Sequence, residues 1–178
     1  MIRKSLPSFI IISGSGKKVG KTYLATALIR YFSARFPLLA LKISPHSHDS
    51  LGNTTLRSAS EGLRIFQDMV PHHKNSGKFL EAGALESFFM ETDDRHLGEG
   101  FDIFMKECNP MNHPVICESG ALGNLVRPGL LIFIARPGTD LPAHKTASMQ
   151  QADMVLPAGS FSTAEIISRI CFSENRWS

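Results

Sequence analysis

Apolar residues along this chain fall into short unbroken runs alternating with segments of helical period. Phe9-Ile10-Ile11-Ile12 is one such run, and its continuity predicts a central parallel strand covered on both faces. After a glycine-rich stretch, Leu24, Ala27, Leu28, Tyr31 and Phe32 recur at helical spacing, with Thr26, Arg30 and Ser33 opposite. Pro37 closes this helix, and residues 38–43 read as a second strand. Strand, helix and strand in that span form a βαβ unit, which is right-handed in nearly all known cases.

Residues 44–78 are rich in Ser, His, Asn and Gly, with only a weak helical piece over 63–70. They read as a long mobile loop region, the kind that carries function in compact domains. Regular signals then return: a strand over 85–90, a helix over 95–106, and buried strands at 115–117 and 130–134. A helix over 145–151, a strand at 154–156 and a helix over 162–171 follow. The alternation predicts an α/β protein, a three-layer α/β/α sandwich on a mostly parallel sheet. Ligands of such sheets sit outside the carboxyl ends of the strands.

Length and composition narrow this picture. A chain of 178 residues favours one domain over 1–178. The apolar fraction of 43% and charged fraction of 20% are those of an ordinary globular chain, which excludes disorder. The net charge of +3 is mild and scattered, so nucleic acid is not expected as a partner. Three cysteines, Cys108, Cys117 and Cys171, are odd in number and far apart without a CxxC. They argue against a disulfide framework or zinc and for a reducing, cytoplasmic setting. The apolar stretch from Phe9 is too short for a membrane span and runs into glycine and lysine, so no membrane is expected.

Between the first strand and the first helix lies Ser13-Gly14-Ser15-Gly16-Lys17-Lys18-Val19-Gly20-Lys21-Thr22. That context and that Gly-Lys-Thr ending are what a phosphate-binding P-loop requires. Glycines let successive N–H groups face an anion, and the helix N-terminus adds its positive end. Gly14 through Thr22 are thus expected to bind nucleotide, with Lys21 bridging the β- and γ-phosphates and the Thr22 hydroxyl ligating Mg²⁺. Position 15 departs from the strict GxxxxGK[ST] pattern, with Ser in place of Gly. Lys17 and Lys18 either add charge stabilisation on a transferring phosphoryl group or point into solvent. A P-loop also needs an acidic partner for the metal at the end of an apolar strand. Glu118, after Val115-Ile116-Cys117, is the candidate, directly or through water.

Taken in order, several stretches resemble the MobB family of P-loop proteins, which serve molybdopterin-guanine dinucleotide biosynthesis. They are the P-loop, Lys42-Ile43-Ser44-Pro45-His46-Ser47-His48-Asp49, His73-Lys74-Asn75-Ser76, Glu81-Ala82-Gly83-Ala84 and Cys117-Glu118-Ser119-Gly120. The P-loop itself looks more like that of dethiobiotin synthetase, a relative in the same broad superfamily, and Lys42 matches the lysine that family carries after its second strand. No Asn-Lys-x-Asp stretch reads guanine, so ATP and GTP both remain open. The superfamily often places a base-binding loop after the last strong strand, where Arg136 would stack on the ring and Asp140 would accept from a guanine edge. A surface turn is the alternative there.

Asp49 is a candidate water-mediated Mg²⁺ contact, and His46 and His48 candidate phosphate or partner contacts. A transition-metal site or solvated loop histidines are the alternatives. The expected function is NTP·Mg²⁺ binding with weak hydrolysis. Lys21, Lys17 and Lys42 are the candidate catalytic residues, and a protein partner in cofactor biosynthesis or a homodimer would raise the rate. The alternatives are an ATP-dependent enzyme acting on a small acid, with Lys42 orienting the acceptor, and a non-hydrolysing nucleotide-gated adaptor.

Overall fold

The computed structural model describes residues 3–45, 54–73 and 76–178. Strand β1 (Lys4–Gly14) enters helix α1 (Lys21–Phe32), which returns the chain to β2 (Leu39–Ser44). An antiparallel hairpin follows, β3 (Thr54–Ser60) and β4 (Leu63–Asp68). The chain continues through α2 (Gly77–Glu81), β5 (Glu86–Thr92), α3 (Leu97–Glu107) and β6 (Val115–Glu118). It then forms α4 (Leu122–Leu125), β7 (Val126–Ala135), α5 (Ala143–Gln150), β8 (Met154–Pro157) and α6 (Thr163–Ser168). A short hairpin, β9 (Phe172–Ser173) and β10 (Arg176–Trp177), completes the described chain.

Eight strands make one sheet in the order β3-β4-β5-β2-β6-β1-β7-β8. The six from β5 to β8 run parallel, and β4 and β3 add an antiparallel edge. Each face has its own core. Ile10, Ile12, Ala40, Ile116 and Ile132 pack under α1, α2 and α6 through Leu24, Leu28, Phe79 and Ile166. Phe9, Ile11, Leu41, Phe88 and Cys117 pack on the other face under α3 and α4 through Phe101, Phe104 and Leu122. Two cores around one sheet are the expected α/β/α sandwich, and they explain why β1 carries no polar alternation.

Several expectations need correction. Residues 54–60 and 63–68 are strands, where a loop with a weak helical piece was expected. Leu63 and Ile65, two apart, both reach the core under α3, which is strand spacing. A two-residue turn with Gly62 at φ 69° closes this hairpin, a conformation glycine adopts at no steric cost. The buried face of α1 is Leu24, Ala25, Leu28, Ile29 and Phe32. Tyr31, expected inside, is 40% exposed with the Arg35 guanidinium 4.5 Å over its ring. The last helix ends at Ser168 rather than near Cys171, because Cys171 and Ser178 exchange main-chain hydrogen bonds that begin the β9–β10 hairpin.

That hairpin turns through Glu174 and Asn175, both at positive φ, the requirement of a two-residue type I′ turn. It delivers Trp177, fully buried, against Phe32 and Phe172 at ring-centroid distances of 4.9 and 4.6 Å. The Trp177 indole Nε1 donates to the Ser8 carbonyl at 2.8 Å, so the hairpin clamps the middle of β1. Trp177→Ala removes a buried aromatic and leaves that carbonyl unpaired, and is expected to cost about 3–5 kcal/mol. Urea unfolding followed by far-UV circular dichroism measures it; a cost below about 1 kcal/mol would show that the hairpin does not hold the sheet.

Candidate functional site

The site follows from strand register. Ile12 of β1 is paired with Glu118 of β6, and Glu118 with Lys42 of β2. Residues paired across parallel strands share a face, and Ile12 packs under α1. Glu118 and Lys42 therefore emerge at the carboxyl ends of their strands on the same side as the start of α1. There the Thr22 hydroxyl donates to Glu118 Oε2 at 2.7 Å, and the Lys42 ammonium lies 3.1 Å from the same oxygen and 3.3 Å from Thr22 Oγ1. Thr22, Glu118 and Lys42, separated by up to 96 positions, form one polar knot.

The loop between β1 and α1 carries three glycines, two of which the backbone requires. A Cβ on Gly14 would meet the Ile134 carbonyl oxygen at 2.7 Å, so the loop can leave β1 against β7 only without a side chain. Gly20 has φ 107° and caps α1, a backbone that side chains rarely adopt. Gly16 meets neither constraint: a Cβ there would find nothing within 4 Å. The Val19 side chain is buried beneath Gly14 and anchors the loop to the core. The departure at position 15 has a structural reason, because the Ser15 hydroxyl accepts the Arg136 N–H at 2.9 Å and ties the loop to the end of β7.

Helix α1 starts without a side-chain cap, so the N–H groups of its first turn lack intrahelical acceptors. Lys21 folds back to donate to the Gly16 carbonyl at 2.6 Å. Burial lowers its pKa; Glu118 opposes that shift, while Lys145 and Lys42 add to it. The loop and the knot line a cavity of about 600 Å³ with Gly16, Lys17, Lys18, Lys21, Thr22, Lys42 and Glu118 along one side. Lys17 and Lys18 are exposed on its rim, Lys18 at φ 58°.

The cavity is also lined by residues that the sequence did not single out. Asp93 and Asp94 stand just after β5, and His144 and Lys145 at the start of α5. The N–H groups of His96 and Arg95 donate to Asp93, and the His96 ring lies 2.8 Å from the same oxygen. The His96 N–H foremost, then its side chain, hold the Asp93 carboxyl at about 2. Lys145 donates to the Gly14 carbonyl at 3.1 Å. A single lysine on a weakly amphipathic helix carries no sequence signal of this placement.

Of the other expected site residues, Arg136 is exposed and donates from Nη2 to the Lys17 carbonyl at 3.3 Å, so it touches the loop without lining the cavity. Asp140 is exposed and stands apart from the lining. His46, His48 and Asp49 lie outside the described residues, as do Lys74 and Asn75. Among the described residues no three His, Cys, Asp or Glu side chains group to hold a metal, and no helix is long and apolar enough to cross a membrane.

No protein-family model matches the chain, and no curated protein matches it. Among solved structures it is similar to LpxK from Aquifex aeolicus, an "apo" form in complex with ATP, at a TM-score of 0.46 and 15% identity. The match covers 89% of this chain and 50% of that one, so the chain spans half the length of the solved structure it matches.

Proposed function

We propose that this chain, as one domain over 1–178, binds a nucleoside triphosphate with Mg²⁺ in the cavity beside α1 and hydrolyses it slowly. The contact that carries this reading is the 2.7 Å hydrogen bond from Thr22 to the buried Glu118. Two hard oxygen donors side by side at the start of a helix suit Mg²⁺, which prefers such ligands together with water and phosphate. Thr22 and Glu118 would hold the ion, Glu118 directly or through water. When bound, it neutralises charge on the phosphate oxygens.

The protein's own groups act by position and charge. The loop from Gly14 to Gly20 and the uncapped first turn of α1 present N–H groups to the phosphates. Lys21, already desolvated, exchanges the Gly16 carbonyl for phosphate oxygen and stabilises charge on the β–γ bridge. Lys17 adds charge from the rim. Asp93 is already engaged by the N–H groups of Arg95 and His96, and a slow intrinsic rate is expected. A partner protein or a second copy of the chain would raise that rate. The MobB-like motifs make assistance to molybdenum-cofactor nucleotide attachment the leading biological role, with ATP or GTP as the nucleotide.

A second reading is favoured by the cavity's extent. Its lining continues past the loop to Asp93, Asp94, Leu97 and His144, leaving room for an acceptor next to the nucleotide. Lys42, at the boundary between the two, would orient a small acid, as in the dethiobiotin synthetase resemblance. Phosphate release that depends on an added small acid distinguishes this from basal hydrolysis.

Bonds to charged groups contribute about 1.5–3 kcal/mol each, so Lys21→Ala is expected to weaken NTP binding by roughly 10- to 100-fold. Isothermal titration with Mg²⁺ present measures this; unchanged affinity refutes the site. Gly16→Val tests the loop separately. Its side chain enters open space in the free protein, so the melting temperature should hold while the nucleotide-induced rise in melting temperature is lost. Glu118→Gln is expected to reduce the Mg²⁺ dependence of binding, read by repeating the titration in EDTA; an undiminished dependence would remove Glu118 from the metal site.

A further inference from the structure

We propose that Lys145 reads the terminal phosphoryl group and sets the preference for a nucleoside triphosphate over a diphosphate; this rests on the nucleotide reading above. Lys21 and Lys145 approach the phosphate loop from opposite faces of the sheet. Lys21 comes from α1 and takes the Gly16 carbonyl at 2.6 Å; Lys145 comes from α5 and takes the Gly14 carbonyl at 3.1 Å. The two ammonium groups thus hold carbonyls two residues apart on one loop.

Helix α5 is fixed so that Lys145 reaches that place. Lys145 and Ser148 are three apart and share a helix face. Ser148 is buried with its hydroxyl 3.5 Å from Ser13 Oγ, directly below Gly14. The His144 carbonyl accepts from Asn124 Nδ2 at 3.2 Å, which ties the first turn of α5 to α4. Lys145 is therefore held at the root of the loop, where β1 ends next to β7, rather than beside its outer rim.

Its charge has no partner there. Among the described residues Lys42 is ion-paired with Glu118, while neither Lys21 nor Lys145 has a carboxylate within 4.0 Å. A lysine ammonium carries three N–H donors, and Lys145 spends one of them on a main-chain carbonyl. Asp93 and Asp94 line the same cavity without pairing with Lys145, and Asp93 is already engaged by Arg95 and His96. Lys145 is close enough to contribute to the lowered pKa of Lys21, so both charges act on the same volume. The inner phosphates lie within reach of the loop N–H groups and Lys21. The group that extends beyond them, towards the end of β1, is the one Lys145 meets.

The test is titration of the whole chain with Mg²⁺ and ATP, ADP, GTP or GDP, comparing triphosphate with diphosphate affinity. Lys145→Met should weaken triphosphate binding about tenfold and leave diphosphate binding within about twofold. Lys145→Gln keeps a donor for the Gly14 carbonyl without the charge, so it should show the same selective loss and carries the test if the methionine variant does not fold. Lys145→Arg should retain the preference. An unchanged ratio in the glutamine variant, or equal loss of both nucleotides, overturns the inference while nucleotide binding by the parent stands. A parent chain that binds no nucleotide overturns the underlying reading instead.

Discussion

A carboxylate with 7% of its surface exposed sits at the end of a parallel strand, and the geometry of the cavity follows from how that charge is compensated. Leaving Glu118 unpaired would cost several kcal/mol. Thr22 and Lys42 prevent that, one from the first turn of a helix and the other from the neighbouring strand. The knot therefore locks α1, β2 and β6 together where their ends meet. It holds only because β6 is inserted between β1 and β2, in a register that points Lys42 and Glu118 to the same side.

The rest of the protein keeps that junction stiff. The loop is tied to β7 by Ser15 and its neighbours, to the core by Val19, and to α5 by Lys145. Both faces of the sheet are covered, so the strand ends cannot slide without disturbing two separate cores. What remains open is the volume in front of Gly16 and Gly120, where added side chains would meet no protein atom. Packing accounts for the small residues at Gly14 and Gly20 but not for those two. The space they leave belongs to whatever enters the cavity.

Much of this was legible in the residues. Phe9 to Ile12, the helix after it and the strands around Ile116 and Ile132 carry strong, unambiguous patterns, because central parallel strands need apolar residues on both faces. Glu118 was findable from its place after such a run. The β3–β4 hairpin was not, since β3 is an exposed edge strand of Thr, Ser and Ala whose composition matches a loop. The role of Lys145 was equally hidden. It depends on where α5 lies against β1, and that is a tertiary fact with no local trace. Arg136 was expected, from the superfamily resemblance, to stack on a base, but its side chain binds the Lys17 carbonyl and does not line the cavity.

The C-terminal hairpin has a practical side. The chain's single tryptophan, Trp177, is enclosed on the middle of β1 by Phe32 and Phe172, away from the end of the strand where the loop begins. Its emission is a reporter of whether the sheet and hairpin are assembled, and none of the residues lining the cavity is among its ring partners. The same strand thus separates two signals: intrinsic fluorescence follows the integrity of the scaffold, and occupancy has to be followed by another probe.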